Sequence, residues 1–192
     1  MRASAAGWAP ADAGAGTIRL KRPPECHGTL PRGITGADNA GMTTVGGLPV
    51  HPLLVHAVVV LLPLAAFGAG LVAARPSWNR PYGPLVAAGA LAGAVAATLA
   101  KLAGDRLAAT IEITPGFQPV IDEHGRLGLY VVLAAWPFAL LALVAAVLGR
   151  RPGDPAARVT GVLAAAAGVA AVVTTVLAGH SGSAAVWGAV LR

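Results

Sequence analysis

Four long runs of this chain contain no Asp, Glu, Lys or Arg, and they constrain its fold more than any other feature. They are Val50 to Ala74, Pro81 to Ala100, Leu127 to Gly149 and Val159 to Leu191, of 25, 20, 23 and 33 residues. A helix rises 1.5 Å per residue, so about 20 apolar residues cross a hydrocarbon core about 30 Å thick. Lipid offers the backbone no hydrogen bonds, so each run must form a helix. The alternating pattern of a membrane β-barrel strand is absent. Composition agrees: charged residues make up only 11% and hydrophobic residues 56% of the 192 residues. A soluble domain carries about 25% charged residues.

The runs predict helices over about 52–74, 82–105, 125–149 and 158–181. The first link, Arg75 to Pro81, and the third, Arg150 to Ala157, are short and contain Pro and Arg, which suits a helix stop at a membrane surface. The middle link, roughly Leu107 to Glu123, carries Ile111, Ile113, Phe117, Val120 and Ile121, and is expected to lie on the membrane. Short links make sequential helices antiparallel neighbours, so the expected fold is all-α, a four-helix transmembrane bundle running up-down-up-down. Pro63 and Pro137 are expected to kink their helices. Gly89 and Gly93 form a GxxxG, and Gly161 and Gly168 lie a heptad apart; small residues allow close helix contact in lipid.

Residues 1–47 have a different composition and read as a disordered basic tail, with residues 48–192 as the membrane domain. No apolar core follows the early charges, so the tail is not a standard signal peptide. Met42 offers an alternative start. The one cysteine, Cys26, lies in the tail, so no intrachain disulfide forms.

The net charge of +6 reads as membrane orientation rather than nucleic-acid binding. Arg75, Arg80, Arg150, Arg151 and Arg158 sit on the side of the two short links. Arg106, Arg126 and Arg192 sit on the other, diluted by Asp105, Glu112, Asp122 and Glu123. The positive-inside rule then places the short links in the cytoplasm and both termini outside a bacterial inner membrane. Counting the tail reverses this.

Ionisable residues within membrane spans are rare and mark functional sites. Antiparallel alternation brings His51 and His56, Lys101 and Asp105, Glu123 and His124, and His180 to one end of the bundle. The other end has arginines and one acid, Asp154. His51 and His56 are five residues apart and diverge by about 140° on a regular helix, so they do not share a ligand. Among the histidines, His56 has the most apolar flanks. Thr98, Lys101 and Asp105 form one polar stripe, in which Lys101 and Asp105 are spaced to pair. Each residue also has a structural reading: His51 as a solvated helix entry, His124 as part of a polar boundary, His180 as a helix cap, Lys101 as a snorkelling cation. Trp187 is placed as an interfacial anchor.

His51-Pro52-Leu53-Leu54-Val55-His56, Gly104-Asp105, His124 and Gly179-His180-Ser181-Gly182, in that order, resemble the signature of bacterial membrane proteins catalogued as the domain of unknown function 2231 family. The resemblance covers about 48–190. Ala57 and Val58 stand where the common form has Phe and Pro. It implies a four-helix inner-membrane protein with histidines gathered at one side, and it carries no activity.

Three functions compete. The first is a b-type haem protein in membrane electron transfer, with a membrane redox partner. His56 with His180 or His124 would be the axial pair, and Lys101 or Arg126 would meet a propionate. The second is a divalent metal site drawn from His51, His56, His124, His180, Asp105 and Glu123. The third is an unliganded polar cluster for proton movement or partner binding. No P-loop, dinucleotide fingerprint, H-E-x-x-H or G-x-S-x-G motif is present, which weighs against an enzyme.

Overall fold

The computed structural model describes residues 44–45, 48–110, 113–151 and 153–187. The basic tail with Cys26, residue Ile111 and the side chain of Trp187 lie outside what is described. A two-residue hairpin pairs β1 (Thr44–Val45) with β2 (Leu48–Pro49). Four long helices follow: α1 (Val50–Ala74), α2 (Asn79–Thr110), α3 (Gln118–Leu148) and α4 (Pro155–Trp187). All four are long and apolar enough to cross a membrane. A single 3₁₀ turn, Pro76–Trp78, joins α1 to α2. Between α3 and α4 the chain turns through Gly153, at φ 79°, a left-handed conformation that glycine adopts without steric cost.

The helices pack in a ring: α1 on α2, α2 on α3, α3 on α4, and α4 back on α1. This is the order expected for up-down-up-down connection. Three of the helices run further than expected at the histidine end. α2 continues to Thr110, α3 begins at Gln118 and α4 reaches Trp187. The middle link is therefore much shorter than the sequence suggested. Charged residues at this end pair within helical turns, Lys101 with Asp105 and Glu123 with Arg126, and in the added turn of α3 Gln118 donates to Asp122 at 2.8 Å. Pro63, Pro137 and a third proline, Pro84, all lie inside unbroken helices.

Size is sorted from inside to outside. The buried face is mostly alanine, including Ala90, Ala94, Ala135, Ala139, Ala164 and Ala171. Leu64, Phe67, Leu85, Leu140, Val169 and Val176 are exposed around the outside. In lipid, apolar side chains gain nothing by leaving the tails, so helices associate through close contact of small residues. The two largest fully buried side chains, Leu62 and Phe138, each occupy a hollow left by a glycine. A Cβ on Gly93 would stand 2.6 Å from Cδ2 of Leu62, and one on Gly168 would stand 3.1 Å from Cε2 of Phe138 and 3.0 Å from Cβ of Ala66. Gly93 therefore seats α1 on α2, whereas a Cβ on Gly89 would meet Ala65 at 3.5 Å, an ordinary contact. Gly161 differs from Gly168: a Cβ there would meet nothing within 4 Å.

At the short-link end, Asn79 is a buried polar residue. Its Nδ2 donates to the carbonyl of Ala145 at 2.7 Å, tying the start of α2 to the end of α3. The amide lies between Gly83 and Gly149, where a Cβ would fall 2.1 Å from Oδ1 and 1.7 Å from Nδ2 respectively.

Candidate functional site

The opposite end of the bundle carries the histidines, and it is built from one device used twice. His51, in the first turn of α1, lies against the Ala100–Gly104 turn of α2. Its Nδ1 donates to the carbonyl of Ala100 at 2.7 Å. A Cβ on Gly104 would stand 2.9 Å from both Nδ1 and Cε1 of His51, so the missing side chain makes the space for the ring. His124, near the start of α3, lies in the same way against the Ala178–Gly182 turn of α4. Its Nδ1 is 3.0 Å from Oγ of Ser181, and that hydroxyl is 2.9 Å from the carbonyl of Ala178. A Cβ on Gly182 would be 3.0 Å from Cε1 of His124.

These contacts assign the tautomers. A carbonyl only accepts, so Nδ1 of His51 carries the proton. The single hydroxyl proton of Ser181 goes to the Ala178 carbonyl, so Oγ accepts from Nδ1 of His124. In both neutral rings Nε2 is therefore the unprotonated nitrogen. The two ring centroids lie 6.1 Å apart with their planes at 85°, an edge-on arrangement. Both are half-buried.

The remaining candidates surround this pair without joining it. His56 is exposed, and its Nδ1 folds back to the carbonyl of Pro52 at 2.6 Å. His180 is exposed on α4. Lys101 donates to both carboxylate oxygens of Asp105, at 2.6 and 2.5 Å. Its Cδ passes 3.4 Å from the place a Cβ on Gly128 would take, so this pair sits on the α2–α3 seam. Further down that stripe, Thr98 accepts from the indole of Trp136 at 3.1 Å and donates to Ala94. Arg126 is held by Glu123 at 2.9 Å through both Nε and Nη2, and its guanidinium lies 5.7 Å from the Tyr130 ring. Among the described residues no three of His, Cys, Asp and Glu lie close enough to hold a metal ion together.

Sequence reasoning singled out His51 and His124 but gave no role to Gly104, Gly182 or Ser181. The signal was present as Ala-x-x-x-Gly in both receiving turns, which puts a free carbonyl edge and a missing side chain one turn apart on a single helix face. Every one of these residues lies in the strings that carried the family resemblance.

A family model described as predicted membrane protein, DUF2231, matches residues 47–192. The chain belongs to this DUF2231 family. Comparison with curated proteins and with solved structures gives no match. The match spans all four helices and both histidine seats. The two receiving turns give this chain's Gly104-Asp105 and Gly179-His180-Ser181-Gly182 strings a physical reason: each supplies the glycine that admits an imidazole.

Proposed function

We propose that this DUF2231 protein is a b-type haem carrier for membrane electron transfer, in which His51 and His124 would hold the iron. One observation supports the reading above the others. Two half-buried imidazoles from α1 and α3 have their Nδ1 atoms engaged and their centroids 6.1 Å apart. An imidazole nitrogen binds a transition metal at about 2.0–2.1 Å, so a separation of this size is short enough for both rings to reach one ion. Haem iron needs only two ligands from the protein, because the porphyrin supplies four. Protein zinc sites take three or four side chains, a larger set than this pair.

The haem would supply one-electron redox chemistry at the bundle end. The chain's own residues hold the imidazoles. The Ala100 carbonyl and the Ser181 hydroxyl fix both tautomers and raise the basicity of both Nε2 atoms, as partners behind a ligating histidine do. Lys101, paired with Asp105 on the α2–α3 seam, or Arg126 would meet a propionate. His56 and His180 have no place in this pair. The redox partner would be another membrane component, and the basic short links favour an orientation with the histidine end outside the inner membrane.

The test is optical. The full chain, purified from membranes in mild detergent after growth with ample haem, should show a Soret band and a sharp reduced α band with dithionite. His51→Ala and His124→Ala should each abolish the low-spin spectrum, while His56→Ala and His180→Ala should keep it. A featureless spectrum from folded protein overturns the haem reading, and metal analysis of the same sample then decides whether the pair holds a bare ion.

A further inference from the structure

We infer that the short-link end of the bundle carries a binding site for an anionic phospholipid headgroup. The observation is a cavity of about 470 Å³ where the ends of α1 and α3 meet the starts of α2 and α4. Arg80, Arg151 and Arg158 line it, together with one carboxylate, Asp154. Asp154 is already engaged, since its Oδ1 caps the backbone N–H of Ala156 at 2.9 Å. Among the described residues no ion pair joins Asp154 to these arginines. The cavity therefore carries three guanidinium groups against one acid, and among the described residues no other carboxylate lies at this end of the bundle.

Position and shape select the ligand. Four membrane-spanning helices end here, so the cavity lies where hydrocarbon gives way to headgroups. Basic pockets at the ends of transmembrane helices are the sites that take phosphate-bearing headgroups. Arginine suits a phosphodiester because its planar fork gives two parallel hydrogen bonds. The starts of α2 and α4 add the positive ends of two helix dipoles. The floor is apolar: Val72 and Gly161 are buried there, and Val159 lies on the exposed side of α4. Gly161 is buried, yet a Cβ there would meet nothing within 4 Å, so the wall it leaves borders open space rather than a packed neighbour. A charged mouth over an apolar floor is the shape of a phospholipid, and free phosphate would use only the mouth.

The site is distinct from the histidine pair, at the other end of the same helices, so its test needs no haem. The full chain in detergent would be titrated with phosphatidylglycerol, phosphatidylcholine and inorganic phosphate while its melting temperature is followed. Phosphatidylglycerol should raise the melting temperature in a saturable way, and the other two should not. Arg158→Gln should weaken the apparent affinity about fivefold, and Arg151→Gln/Arg158→Gln more than tenfold. Gly161→Leu keeps every charge but fills the floor; it should melt near the wild type without lipid and lose most of the lipid response. An equal response to phosphatidylcholine, or an undiminished response in the double arginine variant, overturns the site. A response to inorganic phosphate as large as that to phosphatidylglycerol overturns the lipid assignment. If Gly161→Leu fails to fold, the arginine variants decide alone.

Discussion

A Cβ on Gly104 would stand 2.9 Å from Nδ1 of His51, closer than real Cβ atoms come to anything. The imidazole occupies the space a side chain would take, one turn from the carbonyl it bonds. Gly104→Ala must therefore push the ring off the Ala100 carbonyl. We expect it to lower melting temperature in detergent by an amount equivalent to about 1–3 kcal/mol, the usual cost of overpacking, and to broaden or lose the haem spectrum. Gly182→Ala should be milder, because the closest approach to His124 is 3.0 Å. An Ala substitution at Gly104 that left both stability and spectrum unchanged would show that the ring does not depend on this seat.

Ser181 Oγ is the side-chain group on α4 that His124 Nδ1 meets. Ser181→Ala removes the acceptor of Nδ1 and costs about 1 kcal/mol. Its informative effect is on the ring: without the hydroxyl, the partner that fixes the tautomer and adds to the basicity of Nε2 is weakened. In the haem-loaded protein the reduction potential should rise relative to the wild type, with the Soret band retained. Ser181→Thr should restore the wild-type value. A potential unmoved by Ser181→Ala would place the hydroxyl outside the site.

The Asn79 amide makes a sharper structural test at the other end. Asn79→Ala loses the 2.7 Å bond to Ala145 and should cost about 1 kcal/mol; membrane hydrogen bonds average somewhat less than those in water. Gly83→Ala places a Cβ 2.1 Å from Asn79 Oδ1 and should cost more than Asn79→Ala does. The double variant removes the clashing amide, so it should be more stable than the sum of the single effects predicts. Melting curves of all four proteins give the coupling directly. Strict additivity would contradict the close approach.

These seats also explain how much was legible beforehand. The four spans could be read from the absence of charge, because lipid leaves a long apolar segment no alternative to a helix. The helix ends could not, because Lys101, Asp105, Glu123 and Arg126 look like the end of a span in sequence yet pair within helical turns. The gathering of the histidines at one end followed from antiparallel alternation. Which histidine turns inward did not follow, even though the divergence of His51 and His56 was evident. Apolar flanks mark His56 as surrounded by apolar groups, but in a membrane helix the lipid face is as apolar as the core, so that signal does not separate inside from outside. The discriminating feature was on other helices, in the glycines that receive the rings. The repetition of the seat was legible only as Ala-x-x-x-Gly, at Ala100–Gly104 and Ala178–Gly182, a pattern too common in so alanine- and glycine-rich a chain to stand out.

Gly168 and Gly161 lie a heptad apart on α4 and give the clearest contrast in packing. A Cβ on Gly168 would meet Ala66 Cβ at 3.0 Å, Phe138 Cε2 at 3.1 Å and the Ala66 backbone at 3.2 Å. Phe138 is fully buried and Ala66 belongs to the neighbouring α1, so neither yields without moving a helix. Gly168→Ala should cost about 1–3 kcal/mol by overpacking, whereas Gly161→Ala meets nothing within 4 Å and should be neutral or slightly stabilising from helix propensity. Thermal denaturation in one detergent compares the two directly. Equal destabilisation by both would mean that α4 does not pack on α1 and α3 through Gly168, since the two substitutions add the same methyl group to the same helix.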